Sequence, residues 1–378
     1  MPDDVKRGLE GVLVAETELS CIDGEAGDLS YCGYSIEDLA RNASYEEVVY
    51  LLWHGELPDA HTLEQFSESM ISAREVASDV RELIKQLAVA DEDPMAALRT
   101  IVSTLSAYDT DSDDQASEGK TNIEMAKRIT AKIPTAIAAF HRFREQKSCI
   151  EPRDDLGHAA NFLYMLNGHK PNQTLADTFD MALVLHADHG LNASTFSAKV
   201  TASTLADLHS AMTAAVGTLS GSLHGGANTN VMRMLIEMDE SDRVDAHERV
   251  ENVLDEGGRV PGFGHRVYDV KDPRAAILGE RSKQLAEVAG DTRWYDCSVA
   301  VEEYISETKG LAPNVDFYSA STYYQMGIPI DIYTPIFAMS RAAGWIAHVM
   351  EQHENGRLIR PRSRYVGPDN REISTHGQ

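Results

Sequence analysis

Three short segments of the chain each place one protonatable side chain beside glycines, a proline or a predicted helix start. They are 222–228 with His224, 261–267 with His265, and 313–318 with Asp316. Imidazole and carboxylate groups accept or donate protons near neutral pH once their surroundings tune them. We therefore take these three side chains as candidate acid–base catalysts.

Each candidate also has a purely structural interpretation. His224 precedes two glycines between two predicted helices, where free backbone N–H groups would favour an oxyanion or a phosphate, but a buried structural histidine fits the segment as well. The turn before His265 lacks the third glycine and the strand–turn–helix context of a dinucleotide-binding loop, so the alternative there is a solvated loop histidine. Two aromatic residues follow Asp316, and an apolar setting of this kind raises the pKa and the basicity of a carboxylate. The structural alternative is that Asp316 is an ordinary helix N-cap.

Three arginines lie where an anion could be bound. Arg274 follows Pro273, which is suited to the first position of a helix and would fix the geometry of its neighbour. Arg341 lies in a long apolar helix, where a buried guanidinium needs either a protein carboxylate or a ligand carboxylate as its partner. Arg360 belongs to a basic tail that would by default be exposed.

His186 and His189 are three residues apart on one predicted helix face, with Asp188 between them. This spacing could begin a metal site. No dense group of further histidines or glutamates follows, so the sequence favours no metal ion. A metal-dependent hydrolase built on these three residues is nevertheless an alternative function of a different class.

The chain is strongly acidic, with 60 acidic and 34 basic residues and a net charge of −26, and only 11 of the basic residues are lysine. An acidic surface repels phosphate, so nucleic acids and anionic membranes are not expected partners. Solubility alone explains such a bias. A second hypothesis is that the protein works in concentrated salt, where screening over about 3 Å at 1 M relieves self-repulsion.

The four cysteines are far apart and include no Cys-x-x-Cys pair, which favours free thiols and a reducing compartment. The first ten residues lack an apolar signal core, and no apolar run reaches about 18 residues. We expect a soluble, cytoplasmic protein.

Helical patterns dominate the sequence, so the predicted fold class is mainly α. Ser35 and Ser44 each begin a capping-box pattern before a short helix. Longer helices are predicted at 63–70, 76–89, 94–107, 122–140, 156–166, 175–185, 192–219, 227–238, 245–255, 273–288, 298–309 and 335–353. Residues 108–122 are predicted to form a solvated loop, and residues 360–378 a tail without periodicity.

Together, the order and context of these segments resemble the citrate synthase family over about residues 39–365, most specifically in the pattern at 262–274. The resemblance implies a large helical domain of residues 1–222 and 323–378, which forms a dimer, and a small mobile domain of residues 223–322. It implies that His224, His265 and Asp316 are catalytic. It also implies that oxaloacetate is bound by His189, Arg274, Arg341 and Arg360, with Arg360 reaching into the neighbouring subunit of a homodimer.

The resemblance further implies coenzyme A, as acetyl-CoA, for a co-substrate and no permanently bound cofactor. Gly262, Gly264, Arg266 and Lys271 are the predicted CoA-binding residues. Relatives usually carry a basic residue where this chain has Asp269, so Arg266 or Lys271 would have to bind the phosphate instead.

The expected reaction is the condensation of acetyl-CoA with oxaloacetate and water to give citrate and CoA. Asp316 would remove the methyl proton, His224 would hold the enolate oxygen, and His265 would polarise the ketone of oxaloacetate. A 2-methylcitrate synthase that uses propionyl-CoA would need the same residues, and the sequence does not separate the two activities.

Overall fold

The computed structural model of the chain describes residues 5–9, 11–109, 121–239, 245–255, 258–265, 267–268 and 270–371. Most of these residues are helical, as predicted. Three short strands precede the first α-helix and form an antiparallel sheet: β1 (Ser20–Asp23), β2 (Asp28–Tyr31) and β3 (Tyr34–Ser35). Ser20 is paired with Tyr31 in the register of β1 and β2, which form a tight hairpin that the sequence did not predict.

Among the described residues, eight α-helices lie between the sheet and residue 186: α1 (Ile36–Asn42), α2 (Tyr45–His54), α3 (Ala60–Ser72), α4 (Ser78–Val89), α5 (Pro94–Leu105), α6 (Ile123–Arg144), α7 (His158–Asn167) and α8 (Gln173–His186). The two predicted starts are confirmed. Ser35 accepts a hydrogen bond from the Asp38 N–H, and Ser44 and Glu47 form a complete capping box. Most of the predicted loop at 108–122 lies outside the described residues.

The second half of the chain contains α9 (Ala193–Ala202), α10 (Leu208–Leu219), α11 (Ala227–Asp239), α12 (Asp245–Asp255), α13 (Pro273–Ala289), α14 (Arg293–Lys309), α15 (Val315–Gln325) and α16 (Tyr333–Asn355). The predicted single helix at 192–219 is wrong. Leu205 takes a left-handed φ of 61°, which ends the first helix, and the Asp207 side chain accepts the Ser210 N–H to begin the second. The sequence also did not predict α15.

Helix α16 runs through the core and contacts α2, α6, α8, α9 and α10. Helices α11, α13, α14 and α15 pack on one another, within the residues predicted to form the small domain. The division into two domains remains a prediction. None of the described helices combines the length and the apolar character that crossing a bilayer requires.

Candidate active site

Two chain segments that are distant in sequence meet at the centre of the site. An isolated antiparallel bridge joins Phe263 to Pro313. Asn314 donates from its backbone to the Gly262 carbonyl at 2.9 Å and from Nδ2 to the Gly264 carbonyl at 2.9 Å. The glycine loop is thereby fixed against the start of α15. The candidate imidazole that follows this loop and the candidate carboxylate in the first turn of α15 are brought into one region.

Two backbone hydrogen bonds determine which ring nitrogen of His265 carries the proton. The backbone N–H groups of Val267 and Tyr268 both donate to His265 Nδ1, at 3.0 and 3.2 Å. Burial, and then the Arg274 guanidinium, lower the pKa of His265 to about 4. Since Nδ1 accepts in the neutral ring, the proton lies on Nε2. His265 is therefore a neutral donor at physiological pH.

His224 shows the complementary arrangement in the turn between α10 and α11. Its Nε2 accepts the backbone N–H of Ser194 at 3.1 Å, and the Ser194 hydroxyl lies 2.8 Å away. Trp345 Nε1 donates to that hydroxyl at 3.1 Å. Burial, and then Arg341, lower the pKa of His224 to about 4. The neutral ring therefore carries its proton on Nδ1, which can donate a hydrogen bond.

Asp316 lies in the first turn of α15 but does not cap it. The capping residue is Asn314, whose side chain accepts the Asp316 N–H at 3.0 Å, so the N-cap alternative for Asp316 is wrong. Burial raises the pKa of the Asp316 carboxyl to about 6, against the opposing effect of Arg274. The side chain accepts no hydrogen bond from the described residues, and the carboxylate is available as a base.

Arg274 is buried and already holds a carboxylate of the protein. Its Nε and Nη2 donate to the two oxygens of Asp272, at 3.0 and 2.7 Å. Asp272 also caps α13 and accepts the Val315 N–H at 3.2 Å. Although burial lowers the pKa of Arg274, Asp272 outweighs that effect and the net pKa is raised. The pair joins the start of α13 to the start of α15.

Arg341 is as buried as Arg274, but its side chain makes fewer hydrogen bonds to described residues. Its Nε donates to the His186 carbonyl at 2.7 Å, and its guanidinium carbon lies 4.7 Å from the centre of the Phe337 ring. Burial lowers the pKa of Arg341 to about 10, so it stays charged. Neither Nη group donates to a described residue, and no described carboxylate lies within ion-pair distance. A protein carboxylate, one of the two partners predicted for Arg341, is therefore not seen among the described residues.

His189 faces His265 across the site, with ring centres 5.1 Å apart. Its Nε2 lies 3.2 Å from the Tyr268 hydroxyl. Burial lowers the pKa of His189, and the neighbouring cations Arg274 and Arg341 lower it further. Two predicted residues from different parts of the sequence thus share one buried site.

The alternative metal site is not supported. His186 Nδ1 bonds to the carbonyl of its own helix residue Ala182 at 2.6 Å, and Asp188 lies 3.3 Å from His348 through one oxygen. The other Asp188 oxygen accepts the Ser20 hydroxyl at 2.7 Å. Within the part of the chain that the structure describes, no group of three metal-ligating side chains is present. A hydrolase built on this cluster therefore has no structural basis here.

The predicted CoA-binding loop is tightly packed at Gly262. This residue has a φ of 83°, and a Cβ there would lie 2.7 Å from the Val231 side chain and 2.9 Å from the Phe317 ring, so only glycine fits. Gly264 also has a positive φ, of 73°. Arg266 and Asp269 lie outside the described residues.

Lys271 forms an ion pair with Glu302, and its ammonium lies 5.3 Å from the centre of the Tyr318 ring. Its charge is thus partly neutralised within the protein. Arg360 lies exposed in the tail, next to Ile359, whose N–H donates to the Ser203 hydroxyl at 3.1 Å.

Sequence reasoning missed three residues that shape the site. Ser194 fixes the His224 tautomer, Tyr268 contacts His189, and Asp272 pairs with Arg274. The Asp-Pro-Arg order did mark a helix start, and an acidic N-cap two residues before an arginine was the available signal for that pair. Nothing local marked Ser194, since its partner is 30 residues away.

The family model described as "Citrate synthase, C-terminal domain" matches residues 8–362 of this chain. The chain belongs to the citrate synthase family. A citrate synthase of Haloferax volcanii is 66% identical over 97% of each chain. A citrate/2-methylcitrate synthase of Bacillus subtilis is 41% identical over 96% of each chain.

Solved structures agree with this membership. The crystal structure of citrate synthase from Pyrobaculum aerophilum matches with a TM-score of 0.90 and 43% identity, covering 98% of this chain and 94% of that one. The ternary complex of citrate synthase from Thermoplasma acidophilum with carboxymethyl coenzyme A and oxaloacetate matches with a TM-score of 0.90 and 32% identity, covering 98% of both chains. The family resemblance and the mainly α fold that were predicted from the sequence are confirmed.

Proposed function

We propose that three side chains carry the citrate synthase reaction in this chain. The enzyme condenses acetyl-CoA with oxaloacetate and water to give citrate and CoA. Asp316 removes a proton from the acetyl methyl group, His224 donates from Nδ1 to the enolate oxygen, and His265 donates from Nε2 to the ketone oxygen. The new C–C bond gives a citryl thioester, and water then cleaves it to release citrate and CoA.

The observation that carries these roles is the fixed tautomer of each histidine. Backbone N–H groups occupy one ring nitrogen of His224 and one of His265, so each ring keeps a single directed donor. Lowered pKa values keep both rings neutral, and the raised pKa of Asp316 makes it a stronger base. Preorganised donors of this kind are worth about 10²- to 10³-fold in rate each.

Oxaloacetate is a small dianion, and the proposed ligands are His189, Arg274, Arg341 and the Arg360 of a second subunit. The overall charge of −26 would repel such a substrate, so local cations must attract it. Planar guanidinium groups bind carboxylates bidentately and strongly, which suits Arg341 with its two Nη groups left for a ligand. The exposed position of Arg360 in the tail fits a contribution across a homodimer interface.

Acetyl-CoA is the proposed co-substrate, and no permanent cofactor is needed for this chemistry. Gly262 and Gly264 shape the loop on which CoA would rest. Lys271 would reach the phosphates only by leaving Glu302. Closure of the proposed small domain, residues 223–322, would exclude water while the enol forms. We propose a cytoplasmic location, in keeping with four free cysteines.

A thiol-release assay tests the reaction and its acyl preference. We expect free CoA to appear only when acetyl-CoA and oxaloacetate are both present, and the ratio of kcat/KM for acetyl-CoA to that for propionyl-CoA measures the acyl preference. Release without oxaloacetate would indicate a thioesterase instead. Equal use of propionyl-CoA would indicate the 2-methylcitrate activity.

The acidic surface leads to a separate proposal, that the enzyme works in concentrated salt. Repulsion among 60 acidic residues is screened as ionic strength rises. We expect both Tm and kcat to increase from dilute buffer to about 2 M KCl, at which the screening length is below about 3 Å. Sucrose of equal osmolality serves as the uncharged control. Full activity and an unchanged Tm without added salt would contradict the proposal.

A further inference from the structure

The β1–β2 hairpin contacts the loop that presents His189. The Ser20 hydroxyl, on β1, donates to an Asp188 carboxylate oxygen at 2.7 Å and accepts the Gly190 N–H at 3.1 Å. On the same face of the strand, Ile22 Cδ1 lies 3.3 Å from where a Cβ on Gly190 would be. The residues on both sides of His189 are therefore held by one strand.

The second strand of the hairpin holds the same loop. The Tyr31 hydroxyl, on β2, donates to the Asp188 carbonyl at 2.8 Å and lies 3.2 Å from the Asp188 N–H. Tyr31 is fully buried, and burial raises its pKa to about 12, so the hydroxyl stays protonated and able to donate.

The tip of the hairpin contacts the second histidine loop. A Cβ on Gly24 would lie 1.9 Å from the Val267 carbonyl oxygen, which shows that the two backbones are in direct contact. A Cβ on Gly27 would lie 2.8 Å from Val270 Cγ2 and 3.4 Å from the Lys271 carbonyl oxygen. Val267 is also one of the two residues whose N–H fixes the His265 ring.

The tip itself is well braced. The Asp23 carboxylate accepts the N–H groups of Glu25 and Ala26, at 3.0 and 2.9 Å, and the Asp23 carbonyl accepts the Gly27 N–H at 2.9 Å. These bonds fix the conformation of the tip.

We propose that the β1–β2 hairpin is a positioning element that sets the spacing between His189 and His265, and that Gly24 and Gly27 are its contact points on the His265 loop. The inference rests on the proposed roles of the two histidines in binding oxaloacetate. A side chain at either glycine pushes the loop away from the hairpin, loosens the N–H contact from Val267 to His265, and moves the two rings apart. Displacements of about 1 Å at such a site can cost about 100-fold in rate.

The experiment compares three glycine-to-alanine variants. Gly24→Ala adds a methyl group against the loop without a left-handed φ at that position. Gly27→Ala combines a φ of 75° with contact to the loop, whereas Gly33→Ala combines a φ of 87° with open space around the new methyl. Gly27→Ala and Gly33→Ala both place alanine at a left-handed φ, but only Gly27→Ala brings the new methyl group against the His265 loop. Gly33→Ala is therefore the matched control.

We expect Gly24→Ala and Gly27→Ala to lower kcat/KM for oxaloacetate by about 10- to 100-fold, with KM for acetyl-CoA changed less than threefold. Gly33→Ala should stay within twofold of the wild type, with a Tm close to that of Gly27→Ala. Oxaloacetate kinetics in Gly24→Ala and Gly27→Ala equal to those of Gly33→Ala would overturn the proposal. A general loss of fold would appear in the circular dichroism spectrum and in both KM values. A fourth variant, His265→Ala, tests the proposed function separately. If His265→Ala kept wild-type activity, the proposed role of His265 would be rejected, and not the role of the hairpin.

Discussion

Replacing Asp316 with asparagine is expected to lower kcat by about 10³-fold while leaving the protein folded, since a positioned general base typically contributes about 10²- to 10⁴-fold. The amide has almost the same shape and keeps the backbone N–H bond to Asn314, but it cannot take the methyl proton. Folding raises the pKa of Asp316 to about 6, so its ionisation at neutral pH opposes the folded state. We therefore expect the Tm of Asp316→Asn at pH 7.5 to equal or exceed that of the wild type.

The matched control is Asp296→Asn, the same change in the first turn of the neighbouring helix α14, where Asp296 is exposed and accepts the Thr292 hydroxyl at 2.7 Å. It should leave kcat unchanged.

In the wild type, kcat/KM for acetyl-CoA should rise with pH through about 6 as Asp316 ionises, since His224 and His265, with pKa values of about 4, stay neutral over that range. The residual activity of Asp316→Asn should not show this rise with pH. Retention of more than a tenth of the wild-type kcat would remove Asp316 from the proton transfer.

Helices were predictable because their signals are local. Ser44 and Glu47, three residues apart, marked the start of α2, and the apolar period at 335–353 predicted most of α16. The β1–β2 hairpin was missed because strands of four residues are too short to show a distinct alternation, and its burial comes from distant partners such as Asp188. The break at Leu205 was missed because one left-handed residue without glycine leaves no compositional mark.

Residue types at the site were likewise predictable, while their pairing was not. His224, His265 and Asp316 could be singled out from their turns, and the structure brings the His265 loop against the start of α15. Their protonation depends on contacts that sequence spacing does not contain, such as the Ser194 N–H on His224. Arg274 and Arg341 were both predicted to bind an anion. Only the structure shows that Arg274 is held by Asp272 and that Arg341 is not held by a described carboxylate.

That difference between the two arginines leads to opposite expectations for their removal. Arg274→Leu would leave the Asp272 carboxylate buried and unpaired, which typically costs about 3–5 kcal/mol of stability. We expect a marked loss of Tm in that variant. Arg341→Leu removes a buried cation that has no described carboxylate partner, and the Asp188 carboxylate nearby keeps its contacts to His348 and Ser20. Its Tm should remain within a few degrees of the wild type.

Arg341→Leu should act on substrate binding instead. Loss of charge-assisted hydrogen bonds to an oxaloacetate carboxylate costs about 3 kcal/mol, which corresponds to a rise of about 100-fold in KM for oxaloacetate. Arg341→Lys keeps the charge but loses the planar guanidinium, so its KM for oxaloacetate should lie between those of the wild type and Arg341→Leu. Because Arg341 lowers the pKa of Asp316, its removal should also move the acidic limb of kcat/KM above pH 6. Steady-state kinetics over pH 5–9 measure both effects. A KM for oxaloacetate within threefold of the wild type in Arg341→Leu would show that another cation binds the substrate, and it would leave the free Nη groups of Arg341 without a role.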